Sequence, residues 1–351
     1  MAKKISKSSF FSSDIGIDLG TGNTLVYVRG RGIVINEPSV VTVNEKTGQV
    51  VAVGAGAKAM LGKTPPHVRA VRPLSRGVID DFEVTQELLT YLIHKAQAGS
   101  GKLFGPRVVV GVPTGVTNVE SRAVRDAALT AGAREVYIVE EPMAGAIGAK
   151  LPVRDAVGTM VLDIGAGTTD IAVHALGGTV SSKSSQVAGD RFNDNIVDFV
   201  RSEFSLAIGE RTAEETKIEI GAVLPLEVEL SRPVRGRDLA TGLPREVILT
   251  SSHVREALAP SMDALMEAMK DVIEHTPPEL LSDVLEHGVV VFGGGALLRG
   301  LPELLSRMLG VPVSVADEPL TAVVRGTGII TEDPRAWEEV FMHEQAILPQ
   351  S

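Results

Sequence analysis

The sequence predicts a duplicated α/β fold of two domains, and three observations carry that prediction. The stretch IDLGTGNTLVYV (17–28) returns as LDIGAGTTDIAV (162–173), with Asp18 on Asp163, Gly20 on Gly165 and Thr24 on Thr169, 145 residues apart. Self-similarity at that distance means two related halves that begin with the same hairpin. After each copy, apolar strand patterns alternate with helical periodicity, the mark of βαβ units and a parallel sheet. A length of 351 residues and a hydrophobic content of 44% suffice for two cores.

The elements follow in order. Residues 1–13 are polar, basic and sparsely apolar and read as a tail or a short surface helix. Strand patterns run over Ile15–Leu19, Leu25–Arg29, Ile33–Asn36, Ser39–Asn44 and Val50–Val53, joined by short Gly or polar turns as in an antiparallel meander. Helical spacing begins near Asp81. PRVVVGVP (106–113) is apolar throughout and reads as a central strand covered on both faces. A helix follows that Thr117 or Asn118 caps and Gly132 ends. EVYIVEEP (135–142) is a strand and MAGAIGAKL a small-residue helix. The second half repeats strand, glycine turn and strand over 158–176. Helices near 191–208 and 211–222, strands near 226–234 and 245–250, and a long helix to about 274 capped by Ser251 or Ser252 come next. TPPELLSDVLEHG starts a short helix with Pro, VVVFGGGALLRG reads strand, glycine turn, helix, and 334–351 is a polar helix with a frayed end. Domain boundaries are expected at 14–150, with a small subdomain at 33–80 and a returning segment at 325–345, and at 151–324, with a small subdomain at 189–249.

Composition removes several classes of function. A net charge of −10 argues against a general nucleic-acid surface. The absence of cysteine excludes disulfides, thiolate metal sites and Cys nucleophiles. No apolar run approaches the roughly 18 residues of a spanning helix, and MAKKISKSSFFSS lacks the apolar region of a secretory signal. The seven histidines are scattered without metal-ligand spacing, and no Ser/His/Asp arrangement has support.

What remains is phosphate chemistry. Glycine turns let backbone N–H groups approach a phosphate closely, and Gly20–Thr24 and Gly165–Thr169 both end in hydroxyl side chains. Two such turns, one per half, suit a clamp on a polyphosphate. Asp18 and Asp163 stand at the mouths of the turns, and a matched pair of carboxylates suits Mg²⁺, which keeps most of its waters. Glu140 and Glu141 close a strand, so alternation turns one of them to the cleft, where a carboxylate can orient a water for attack on phosphate. Glu214 and Lys217 share a helix face at i and i+3. Gly293, Gly294 and Gly295 let a flat ring lie against backbone.

These five segments, in this order, resemble the phosphate-1, connect-1, phosphate-2, ribose/purine and adenosine motifs of the actin-like ATPase superfamily. GVPTGVT, EEPMAGAIGAKLPV, IGERTAEETK and GGGALLRGL look most like the bacterial MreB family of rod shape-determining actins. The resemblance implies an actin-like (ribonuclease H-like) fold with ATP or ADP and Mg²⁺ in the cleft. It matches Gly20, Thr21, Gly22, Asn23 and Thr24 to the first phosphate loop, and Gly165, Ala166, Gly167, Thr168 and Thr169 to the second. Glu214, Glu215, Thr216 and Lys217 match the ribose and purine contacts, and Gly293, Gly294, Gly295, Ala296 and Leu297 the adenine contacts. Glu141 and Thr168 match the pair that positions the attacking water.

It further implies filaments of the chain with itself, slow ATP hydrolysis linked to polymer state, and residence at the inner face of the cytoplasmic membrane. The implied partners are cell-wall elongation proteins of the MreC, MreD and RodZ type. Phe10 and Phe11 beside the tail lysines, and Leu103 with Phe104, are the candidate membrane contacts. The chain departs from the family pattern at Gly22, Ala166, Glu215, Thr216 and Phe292. The competing readings are a DnaK-type chaperone ATPase, which carries a further domain, a sugar or acetate kinase, and a non-hydrolysing binding module.

Overall fold

A computed structural model describes residues 14–75, 78–98 and 105–342. Phe10, Phe11, Leu103 and Phe104 lie outside these residues. The chain forms two compact units, Met1–Asp155 with Leu176–Gly178 and Thr321–Ser351, and Ala156–Ala175 with Thr179–Leu320.

The first unit opens with strands β1 (Ile15–Leu19), β2 (Asn23–Val28) and β3 (Gly32–Pro38). The small strands β4 (Val41–Asn44) and β5 (Val50–Val53), helix α1 (Ala55–Met60), and strands β6 (Val68–Val71), β7 (Leu74–Ser75) and β8 (Val78–Ile79) follow. The βαβ part comprises α2 (Phe82–Gln97), β9 (Arg107–Val112), α3 (Asn118–Thr130), β10 (Glu135–Glu140) and α4 (Glu141–Gly148). The sheet order is β10-β9-β1-β2-β3: β1, β2 and β3 are antiparallel, whereas β9 and β10 run parallel to β1.

The expected meander therefore stops at β3. Pro38 ends that strand, and β4 pairs instead with β5 and β6 in a separate sheet. Proline has no N–H with which to carry a ladder further. Asp14 pins the start of β1 to β9: its buried carboxylate accepts from Arg107 Nη2 at 2.5 Å and Nε at 3.1 Å. The α3 cap is a capping box, with Thr117 Oγ1 accepting from Glu120 N–H and the Glu120 carboxylate accepting from Thr117 N–H.

The second unit repeats the plan. It contains β11 (Thr159–Ile164), β12 (Thr169–Ala175), β13 (Gly178–Ser185), α5 (Gly189–Phe204), β14 (Leu206–Ala207), α6 (Glu210–Ile220), β15 (Ser231–Asp238) and β16 (Pro244–Thr250). These lead into α7 (Ser251–Glu274), α8 (Pro278–His287), β17 (Val289–Phe292), a 3₁₀ turn over Gly294–Leu297, α9 (Leu301–Leu309) and β18 (Val313–Val315). The order β13-β12-β11-β17-β18 matches the first sheet strand for strand, three antiparallel followed by two parallel. The chain then returns to the first unit as α10 (Ala322–Glu332) and a 3₁₀ segment over Pro334–Val340, where a regular helix was expected.

Three more readings are corrected here. The strand expected at 226–234 lies later, as β15. The cap of α7 is Thr250, whose hydroxyl accepts from His253 N–H, rather than Ser251 or Ser252. β13 was not anticipated: GTVSSKSS is polar because it is an edge strand that meets solvent. Each unit has its own apolar core, Ile15, Ile17, Leu88, Leu92 and Ile138 in the first and Leu162, Ile164, Phe192, Leu258 and Leu265 in the second.

Candidate functional site

In both sheets the singled-out residues gather at the carboxyl ends of the parallel strands, where open α/β sheets place their ligands. In the first unit, Asp18 stands in register with Leu25 and Gly111, one residue before β1 ends. Burial pushes the Asp18 carboxyl up to about 7. Glu141 begins α4 and is only 7% exposed, and its Cγ lies 3.5 Å from where a Gly111 side chain would start. A Cβ at Gly111 would press on Val323 Cγ1 at 3.2 Å and make only ordinary contact with Glu141, so Glu141 lies over β9 at the position in register with Asp18. Glu140, whose side chain makes no cap bond, is the N-cap, so the structure separates the two adjacent acids.

The first loop is buttressed from within its own unit. Thr24 is fully buried and its hydroxyl meets Ser39 Oγ at 2.8 Å, while Ser39 Oγ donates to Gly20 O at 2.5 Å and Ser39 N–H to Gly22 O at 3.0 Å. Asn23 Nδ2 donates to Asn36 Oδ1 at 2.7 Å. The Thr24 hydroxyl therefore serves the loop, and the partly exposed Gly20, Thr21 and Gly22 remain as its open backbone. Ser39 escaped notice in the sequence, because only the β2–β3 pairing brings it back to the loop.

In the second unit the motifs interlock. Asp163 is 6% exposed and pairs in register with Phe292 of β17. Gly293 has φ +81°, and a Cβ there would strike Asp163 Oδ1 and come within 2.5 Å of Ile164 O. Gly295 likewise has no room beside Ile164, where a Cβ would lie 2.6 Å from that side chain's Cβ. These two glycines seat the 3₁₀ turn directly on the phosphate hairpin. Gly294 and Leu297 are instead exposed, and only Leu320 Cδ2, at 3.7 Å, would meet a Gly294 side chain. Leu320, also exposed, supplies an apolar neighbour to that open backbone. Phe292 is fully buried and belongs to the packing rather than to the open face.

The second phosphate loop is held by the start of α5. Gly189 N–H donates to Gly165 O at 3.1 Å and Asp190 N–H to Ala166 O at 2.8 Å. Gly165 N–H donates to Thr168 O at 2.9 Å, and the Thr169 hydroxyl to Val187 O at 2.7 Å. Ala166 is not among the positive-φ residues other than glycine, which are Lys150, Leu176, Ser205 and Glu318 among the described residues. An alanine replaces the family's glycine there without strain.

Helix α6 joins the assembly through Lys217, whose Nζ donates to Gly189 O at 2.8 Å. Desolvation pulls the Lys217 ammonium below its usual range, against the attraction of Glu214, Asp190 and Glu210. Arg299, just past the 3₁₀ turn, donates to Gly221 O at 3.2 Å and caps the C-terminal end of α6. Glu215 and Thr216 are engaged elsewhere: Arg211 and Arg232 hold the Glu215 carboxylate, and Thr216 is buried with its hydroxyl on Thr212 O at 2.7 Å. Gly189, Asp190, Arg299 and Leu320 are the residues that sequence reading missed.

Among the described residues no three His, Cys, Asp or Glu side chains cluster as metal ligands.

The MreB/Mbl protein family profile matches residues 12–339. The cell shape-determining protein MreB of Escherichia coli strain K12 is 49% identical over 337 residues, 95% of each chain. The cell shape-determining protein Mbl of Bacillus subtilis strain 168 is 46% identical over 323 residues, 92% of this chain and 97% of that one. The crystal structure of MreB5 of Spiroplasma citri bound to AMPPNP superposes with a TM-score of 0.88 at 36% identity, covering 93% of this chain and 98% of the other. A hairpin-first duplicated sheet, motifs at matching strand ends and these likenesses lead to one conclusion: the chain belongs to the MreB/Mbl family and has the actin-like fold.

Proposed function

We propose that the chain is an ATP-dependent, filament-forming actin homologue that works at the inner face of the cytoplasmic membrane and organises cell-wall synthesis. The observation that carries this reading is the interlocking of the second phosphate loop, the start of α5, Lys217 and the Gly293–Leu297 turn, four segments distant in sequence. It is supported by the relatives' names as cell shape-determining proteins and by the MreB5 structure, whose bound AMPPNP is an ATP analogue.

In this reading the backbone of Gly20–Gly22 and Gly165–Gly167 binds phosphate oxygens, and Glu214 takes the ribose hydroxyls. The base lies against Gly294, Leu297 and Leu320, where backbone and apolar side chains are open. Asp18 and Asp163 would hold Mg²⁺ through water, and the ion supplies neutralisation of phosphate charge. Glu141 and Thr168 orient the attacking water. The buried setting of Glu141 favours a fixed position over a solvated one.

Glu141→Ala is expected to retain nucleotide and to slow phosphate release by about 10²-fold or more, read by a phosphate-release assay beside equilibrium ATP binding. Loss of binding instead would make Glu141 a structural residue. Among the described residues no helix is long and apolar enough to cross a membrane. The proposed membrane contacts are Phe10 and Phe11 of the tail and the pair Leu103–Phe104. Leu103→Ser with Phe104→Ser is expected to weaken pelleting with anionic liposomes, and unchanged pelleting rejects that pair as an anchor.

The whole reading is tested by incubating the protein with Mg-ATP and lipid vesicles and imaging it by negative-stain electron microscopy. Membrane-bound filaments are expected. Absence of filaments together with phosphorylation of a hexose would transfer the chain to the kinase reading.

A further inference from the structure

Strand β15 carries an arginine where its register calls for an apolar residue. Along Ser231–Asp238, positions 232, 234, 236 and 238 are the less exposed ones, and Val234 on that face is part of the core. Arg232 shares the face, and its side chain is only 16% exposed. A guanidinium in such a place must be paired. Its Nη2 donates to Glu215 at 2.7 Å and its Nε lies 3.3 Å from Glu219, acids one turn apart on α6. Nη1 is buried with no partner among the described residues. Arg232, and after it Arg211, hold Glu215 below the usual carboxylate range.

The geometry has a consequence for α6. A helix turns about 100° per residue, so the Glu215/Glu219 flank lies roughly 150° around the axis from the Glu214/Lys217 flank. Lys217 secures one flank through Gly189 O, and Arg232 grips the other. Two grips on nearly opposite sides add to the buried face of Ala213, Thr216 and Ile220 in resisting rotation of the helix about its axis. Two arginines, one on β15 and one on α6 itself, account for the Glu215 carboxylate. That acid is engaged by β15 and by its own helix rather than turned to a ligand.

We infer that Arg232 is a positioning residue, which fixes the rotation of α6 through Glu215 and Glu219 and thereby sets Glu214 against the ribose of the bound nucleotide. This rests on the nucleotide reading above. It makes a prediction that depends on the ligand: the clamp matters to nucleotides with ribose hydroxyls and not to those without them.

The experiment measures equilibrium binding of Mg-ATP and of Mg-2′,3′-dideoxy-ATP to the full chain. Arg232→Ala is expected to weaken ATP by about tenfold, the worth of a lost pair of partly exposed ion bonds, and to leave dideoxy-ATP within about twofold of wild type. Glu215→Gln with Glu219→Gln removes the clamp from the helix surface while leaving β15 intact, and is expected to give the same selective loss even where Arg232→Ala folds poorly. Equal losses for both nucleotides, or no loss for either, in a protein whose wild type binds both would overturn the inference and leave the site standing. A wild type that binds neither would overturn the site and the inference with it.

Discussion

The two phosphate hairpins share a sequence pattern and a strand register, yet they are held in opposite ways. β1 and β2 are buttressed from their own sheet: Ser39, at the end of the β2–β3 pairing, bonds Thr24 and Gly20. β11 and β12 are buttressed from outside the sheet, by the start of α5 beneath Gly165 and Ala166 and by the Gly293 turn against Asp163. The difference is one of load. The first hairpin is held by Ser39 and by Asn36 of the neighbouring strand, whereas the second is met by the start of α5 and by the Gly293 turn, with Lys217 of α6 fastened to the former. A duplicated fold thus gives two like loops, and the surroundings decide which of them other segments converge on.

Substitutions can break this comparison, and the largest effect is expected where segments converge. Gly293→Ala adds a Cβ at φ +81° against Asp163 and Ile164, so it is expected to lose about 3 kcal/mol of stability. Urea unfolding checks this, and nucleotide affinity should fall with it. Ser39→Ala tests the self-contained hairpin. It removes the bonds to Thr24 and Gly20, and a loss of about 1–2 kcal/mol is expected, with the second unit undisturbed by hydrogen exchange. A loss at Ser39 as large as that at Gly293 would erase the distinction.

The smallest expected effect has the opposite sign. Gly22 is not among the positive-φ glycines of the described residues, so its freedom costs entropy without a backbone need. Gly22→Ala is expected to stabilise by about 0.4–1 kcal/mol, read as a raised unfolding midpoint. If ATP affinity falls at the same time, Gly22 is there for close backbone contact with phosphate.

Much of the architecture was legible because it follows local rules. The repeat around Asp18 and Asp163 announced the duplication. Thr117 or Asn118 announced the start of α3, which Thr117 caps, and the apolar run at 106–113 announced a covered central strand. Local rules also explain the errors. Thr250, Ser251 and Ser252 are all competent caps, and only the direction from which β16 enters decides among them. β13 looks like a polar loop because edge strands are polar.

The site divides in the same way. The candidate glycines and acids stand out by residue type and spacing, and Lys217 only through the resemblance to a family motif. Ser39, Gly189 and Arg299 could not, because each acts through a backbone atom brought near by long-range pairing. Glu215 shows the reverse case. It sits within a nucleotide motif, and the strand partner Arg232 takes its charge.

The proposal that the second phosphate loop, α6 and the Gly293 turn bind a nucleoside triphosphate is tested most directly by isothermal titration of the full chain with Mg-ATP. One saturable equivalent per chain is predicted, with affinity lost in Lys217→Ala while the fold is kept. A folded wild type that takes up no ATP, or a Lys217→Ala variant that binds as tightly as wild type, would contradict the account.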